Sequence, residues 1–257
     1  LPELRLANAR FALQNGVQDL RLFSELQRFL LILTTGTRRH GEIIRPVSTE
    51  YFELIREHDR AIVRLTSVDG TNILSLARIN ALLIAVQRLR FEAEKGLFKG
   101  LIITGNKKFF SAGADLKEIS RLSGPEAFAF SRRGQELTAM LDHFPVPVTA
   151  VIRGYCMGGG MDLALACGYR MAAPNAVFGH RGASLGVLTG WGGTQRLPRL
   201  IGRTRALQMF LLAEMVPAEE ALRIGLVDAI SDDPEVEAQK FYSKTLPHKT
   251  ELTTDTH

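Results

Sequence analysis

Residues 154–170, "GYCMGGGMDLALACGYR", set three consecutive glycines directly before an apolar run with helical spacing. Glycine costs stability there, because it loses more backbone freedom on folding than a residue with a side chain. The bare backbone must therefore serve a purpose. Three purposes fit: a tight turn, close packing of the helix on a neighbour, or amide N–H groups offered at a helix N-terminus to an anion or a polarised carbonyl. The rest of the chain decides among them.

Immediately before the glycines, "VPVTAVIRG" (146–154) reads as a strand, so the triple glycine lies at a strand-to-helix turn. In α/β proteins such turns bind ligands, since the strand end delivers backbone groups beside a helix start. Known glycine signatures do not fit. A dinucleotide fingerprint needs G-x-G-x-x-G early in a βαβ unit, and the G-x-x-x-x-G-K-[ST] loop does not occur. Further out, the chain alternates from residue 51 onward: strands at 61–67 and 99–105, helices at 76–94 and 124–144, and an extended stretch at 170–180. Pro125 suits the first turn of the second helix. A glycine-rich loop follows at 182–202, then helices at 203–213 and 217–225. There is no internal repeat.

With 257 residues, 46% apolar and 23% charged, the chain has the make-up of a globular protein with one large domain and appendages. Its longest early apolar run, "FLLIL" (29–33), is far short of the roughly 20 residues a membrane span needs, so no membrane partner is expected. Cys156 and Cys167 lack metal-ligand spacing, which leaves no metal site or disulfide framework and favours a reducing cytoplasm. The net charge of +5 is dispersed, without a zinc-finger or RNP motif, so no nucleic-acid partner is expected either. "NKK" (106–108) with Lys117 is a local cluster suited to the phosphates of a small ligand, or simply a solvated lysine-rich loop.

Residues 1–46 differ from the remainder. Leu13, Val17, Leu20 and Leu30 make an amphipathic pattern interrupted at Gly16, followed by loop. The segment lacks a secretory layout, and Glu3, Asp19 and Glu25 argue against a mitochondrial presequence. A chain beginning at Leu1 reads as processed, trimmed or a fragment. These residues are expected to form a helical and loop appendage.

A second small-residue turn, "SAGADLKEI" (111–119), follows the strand at 99–105. Two strand-end turns that converge can each offer one backbone N–H to the same oxygen, the geometry of an oxyanion hole. Taken in order, "NILSLARINAL", "LIITGNKKFFSAGADLKEI", "PVPVTAVIRGYCMGGGMDLALACGYR", "VFGHRGASLGVLTGWGGTQRLPRLIG" and "PAEEALRIGLVDAI" resemble the crotonase superfamily, the enoyl-CoA hydratase/isomerase group. The resemblance runs over residues 47–230. It implies an α/β fold, a crotonase-type spiral of ββα units with helices packed around it. It further implies an acyl-CoA thioester as substrate, coenzyme A entering as part of that substrate with no other cofactor, and a homotrimer or hexamer.

Position by position, Ala114 and Gly159 match the two oxyanion-hole donors, and bare backbone at Gly159 would let the thioester oxygen approach. Ala112, Leu116 and Gly158 match substrate-contacting positions, and Lys117 the reach toward CoA phosphates. Asp162 matches one catalytic carboxylate. The second position is Gly182, and a later one is Gly190, so the two-carboxylate arrangement lacks a member. His180 and Arg181 precede the gap. An imidazole can exchange protons near neutral pH, while a polar residue bonded in a turn is the plainer reading of His180. Trp191 is expected to line the acyl pocket or pack a subunit contact. After residue 230 the acidic "SDDPEVEAQ" and the polar "KTLPHKTELTTDTH" depart from the family, so residues 231–257 read as an atypical, truncated tail that weakens assembly. The missing carboxylate favours a noncatalytic acyl-CoA-binding or assembly protein. The paired turns and Asp162 favour the enzyme.

Overall fold

The computed structural model describes residues 47–57 and 59–245. The appendage expected over 1–46 lies outside the described residues, as do residues 246–257.

The chain winds through two sheets. The larger one begins with an antiparallel meander of β1 (Val47–Ser48), β2 (Phe52–Glu57) and β3 (Arg60–Leu65). It continues in parallel through β4 (Gly100–Thr104), β6 (Val148–Ile152), β8 (Tyr169–Ala172) and β11 (Ala229–Ile230). The smaller sheet takes the intervening strands β5 (Phe109–Ser111), β7 (Tyr155–Met157) and β9 (Val177–Gly179) in parallel, with β10 (Met215–Pro217) antiparallel at its edge. Each of β4, β6 and β8 is thus followed at once by a short strand of the other sheet. That repeating step makes the chain a spiral.

Residues of β4 and β6 are buried throughout, as a parallel sheet covered on both faces requires. Neighbouring side chains point to opposite faces. Val63, Leu101, Ile103, Ala150 and Ile152 join the main core with residues of α1 (Leu76–Glu94) and α3 (Gly124–Asp142). Ile62, Ile102, Val151 and Met171, one from each adjacent strand, form a second cluster closed by Ala238 of α8 (Pro234–Thr245). Local signals set the helix starts. Ser75 caps α1 by accepting from the Arg78 N–H at 3.3 Å, and at α3 the Glu126 carboxylate accepts from both the N–H and the hydroxyl of Ser123. Between them, α2 (Leu116–Ile119) is capped by Asp115, which accepts from the N–H groups of Lys117 and Glu118.

Three local differences from the sequence reading have physical causes. The strand expected over 146–154 does not run into the glycines: β6 ends at Ile152, the chain turns at Gly154, with φ +60, where a Cβ would lie 1.9 Å from the Lys108 carbonyl oxygen, and β7 intervenes. After α4 (Gly159–Leu165), the glycine-rich loop of 182–202 contains a 3-10 turn (Arg181–Leu185) and a helix, α5 (Gly193–Ile201), ahead of α6 (Arg203–Leu211) and α7 (Ala218–Arg223). The expected polar tail begins as α8. Pro234 occupies its first turn, Glu235 and Glu237 place negative charge near its N-terminus, and Ala238 is fully buried on the sheet. No helix among the described residues is long and apolar enough to cross a membrane.

Candidate active site

The turn after β5 and the turn after β7 touch. A bridge pairs Leu74 with Ala114 beside β5, the Leu74 N–H donating to the Gly113 carbonyl at 2.8 Å. This fixes the first turn against the segment that leads into α1. At Gly113, with φ +98, a Cβ would sit 2.8 Å from the Met157 carbonyl oxygen and 3.3 Å from the Gly159 nitrogen. Only glycine permits that approach.

The three glycines then have separate explanations. Gly158 takes φ +50 as the cap of α4, a conformation side chains resist. At Gly159 a Cβ would lie 2.3 Å from the Trp191 ring, and at Gly160 one would lie 2.6 Å from the Ser111 Cβ. Close packing thus decides the second and third positions. The expectation that Gly159 is bare for the sake of an approaching ligand needs correcting, since its Cα faces the indole. Trp191 is buried in a slot between α3 and α4, where Gly134 also leaves it room at 2.2 Å, and it meets Phe130 at 5.5 Å between ring centroids. It lines the cavity, as expected.

That cavity has a volume of about 430 Å³, within the range of small-molecule sites. Ala112, Ala114, Leu116, Gly158, Gly159 and Asp162 all lie in its wall. Lys117 does not; it is exposed on α2. The Leu116 carbonyl, expected to meet substrate, already accepts the Ser120 N–H at 3.0 Å.

Asp162 is almost fully buried on α4. Its Oδ2 accepts from the Thr189 hydroxyl in a short contact and from the Trp191 N–H at 3.3 Å. Burial pushes its carboxyl up to about 6, opposed by those two hydrogen bonds and by Arg196. Its Oδ1 has no hydrogen-bond partner and stands 3.3 Å from His180 Nε2, which also has none. The distance suits a pair, although the present angles do not make a hydrogen bond. His180 is itself buried, packs against the tilted Phe210 ring at 5.0 Å between centroids, and is held at about 4 by burial, hence neutral at physiological pH.

Sequence reasoning weighed His180 and did not consider Thr189. Thr189 lies 27 positions from Asp162, and no spacing rule links them. Gly182 also proves constrained, since a Cβ there would lie 2.4 Å from the Val187 carbonyl oxygen. The turn closes on itself at that point, with the Val187 N–H donating to the Gly182 carbonyl at 3.0 Å.

A two-sheet spiral enclosing paired glycine turns and a buried carboxylate defines a class, and the comparisons agree with it. The enoyl-CoA hydratase/isomerase family profile matches residues 58–247, and the chain belongs to that family. The probable enoyl-CoA hydratase of Bacillus subtilis (strain 168) is 42% identical over 147 residues, 56% of this chain and 57% of the relative. The crotonyl-CoA hydratase of Syntrophomonas wolfei is 42% identical over 149 residues, 57% of either chain. The chain therefore spans a little over half the length of these two relatives. Among solved structures, the enoyl-CoA hydratase of Bacillus anthracis superposes with a TM-score of 0.70 at 32% identity, covering 75% of each chain.

Proposed function

We propose that the chain binds an acyl-CoA thioester and stabilises its enolate, in chemistry of the enoyl-CoA hydratase/isomerase type. The observation that carries this reading is the contact between the two turns at Gly113 and Gly159, on the wall of an apolar cavity. Ala114 and Gly159 follow the point of contact on each side. Neither amide has an acceptor among the described residues. Both are assigned as donors to the thioester oxygen, where one such donor is typically worth about 100- to 1000-fold in rate. With only seven residues, α4 adds little dipole, so the hydrogen bonds carry the stabilisation.

Asp162 is the assigned proton-transfer group, and Ala112, Leu116 and Gly158 contact the substrate. Lys117, exposed on α2, reaches the CoA phosphates from outside the cavity. Residues 47–230 form the acyl-CoA domain, with α8 packed on it. No group beyond the CoA thioester is required. The assembly is a homotrimer or hexamer in the cytoplasm. The test is incubation with a panel of acyl-CoA thioesters, read by mass spectrometry for hydrated or isomerised product. Product from at least one enoyl thioester is expected, and neither product nor binding from any member would overturn the reading.

A further inference from the structure

Moving a double bond or adding water across it requires a proton to be taken at one carbon or oxygen and another to be given at a second carbon. One carboxylate alone serves both steps poorly. The other two positions where a carboxylate might stand are closed. Gly182 has the Val187 carbonyl oxygen 2.4 Å from its absent Cβ, and Gly190 has the Ser131 hydroxyl oxygen at 2.8 Å. Among the described residues of the cavity wall, the titratable side chains are Asp162, His180 and Arg181. A guanidinium does not give up its proton in this setting. That leaves the imidazole.

Its placement fits. Asp162 Oδ2 is committed to Thr189 and Trp191, which turns Oδ1 toward His180. Oδ1 and Nε2 are both buried, both without a hydrogen-bond partner, and 3.3 Å apart. Two unsatisfied polar atoms facing each other cost stability unless a proton or a ligand atom joins them. The groups facing the pair are few: Arg196 from α5, Arg181 in the same wall, the Phe210 ring from α6, and the Cys156 thiol from β7, kept protonated by burial.

We infer that His180 is the proton partner of Asp162, so that the two side chains form a single acid–base unit in the cavity wall and His180 is a positioning residue acting through the carboxylate. This rests on the acyl-CoA reading above. In a hydration, the unit takes one proton from water as the water oxygen bonds to the β-carbon and the double-bond electrons move onto the thioester oxygen. It returns one proton to the α-carbon as the enolate collapses. The unit ends with the protons it began with, and one water has been added.

The experiment follows the His180 imidazole by NMR in the full chain labelled at histidine, from pH 2.5 to 8, beside Asp162→Asn. The parent should show two inflections, because the proton is shared. Asp162→Asn should show one, moved down by about one pH unit or more through loss of the opposite charge. A single inflection at the same pH in both proteins would overturn the inference, whether or not any thioester is turned over. In parallel, His180→Gln should lower kcat on the best enoyl thioester about 100-fold while acyl-CoA affinity stays within about threefold. Unchanged kcat in a folded His180→Gln protein that still depends on Asp162 would reject the partnership and leave the acyl-CoA reading intact. Should that variant fail to melt cooperatively, the parent and Asp162→Asn titrations decide alone.

Discussion

The cavity has two walls built on opposite principles. Around the turns after β5 and β7, absent side chains are filled by neighbours: Trp191 against Gly159, Ser111 against Gly160, and Met157 against Gly113. Backbone there is closely packed, as a pair of hydrogen-bond donors aimed at one oxygen requires. Across the cavity, the segment from the 3-10 turn to Gly190 leaves Leu185, Val187 and Leu188 exposed, Leu188 by 64%. Those three side chains stand in the open, while the end of the segment is held by hydrogen bonds from Thr189 to Asp162 and from Ser131 and Gln135 to the Gly190 carbonyl. On the proposed acyl-CoA reading, the first wall takes the reacting atoms and the second the acyl chain. Asp162 and His180 tie them together, one from each side.

The largest expected effect tests that tie. Asp162→Asn keeps the size of the side chain and removes the proton acceptor, so kcat should fall by about 100- to 10,000-fold with acyl-CoA affinity nearly unchanged. Stopped-flow hydration beside calorimetric binding measures both. A parent enzyme whose turnover survives the change would move the chemistry off the first wall altogether.

Next in size is the pH dependence of stability. Asp162 is raised from 3.8 to about 6 in the folded chain, so its contribution is complete below pH 3.8 and is lost as pH rises through 6. His180 is lowered from 6.5 to about 4, so its contribution is present above pH 6.5 and is lost as pH falls through 4. The two have opposite signs over nearly the same window and largely cancel between pH 4 and 6. The pair holds one proton there in either state, on the imidazole when unfolded and on the carboxyl when folded. In Asp162→Asn, stability should therefore rise from pH 4 to 6.5, and in His180→Gln it should fall from pH 4 to 6. Each slope is on the order of 3 kcal/mol across the window. Urea melts at several pH values show it, and equal slopes in the two variants would contradict the opposed shifts.

What could be read in advance follows the same division between the walls. The strand-and-helix alternation was legible because local rules govern it: apolar runs make buried strands, and Pro125 suits the first turn of α3. Helix 76–94 coincides with α1 for that reason. The glycines were legible as a demand for bare backbone, but their reasons were not. The Trp191 ring that fills the space beside Gly159 comes from 32 residues away in sequence and reaches it only through the winding of the spiral. The contacts from Thr189 and His180 to Asp162 are equally nonlocal. Helix α5 stayed hidden because Gly192 and Gly193 read as loop, whereas Gly193 gives Asp162 the room it needs: a Cβ there would lie 2.1 Å from Oδ1.

A third test sets a glycine of the tight wall against one of the loose wall. Gly159→Ala drives a methyl into the Trp191 ring and should cost about 1–3 kcal/mol or more. Gly186→Ala meets no atom within 4 Å and pays only for its φ of +70, about 1–2 kcal/mol. Gly159→Ala should also lose turnover as the proposed donor shifts, whereas Gly186→Ala should keep most of it. Thermal melts and hydration rates on the same preparations compare them. Equal damage at both sites would show that the walls do not differ in packing.

The smallest effect belongs to Leu188→Ser. Most of that side chain already faces outward, so removing it takes little apolar area out of the folded interior, and stability should change by less than about 0.5 kcal/mol. The part that lines the cavity contributes to binding an acyl chain, so affinity should fall by less than about fivefold and more for longer chains than for short ones. A melting curve and a binding series over acyl lengths check the two halves. A loss of stability as large as that of Gly159→Ala would mean that Leu188 is covered in the working protein, and that a neighbouring subunit packs the second wall as closely as Trp191 packs the first.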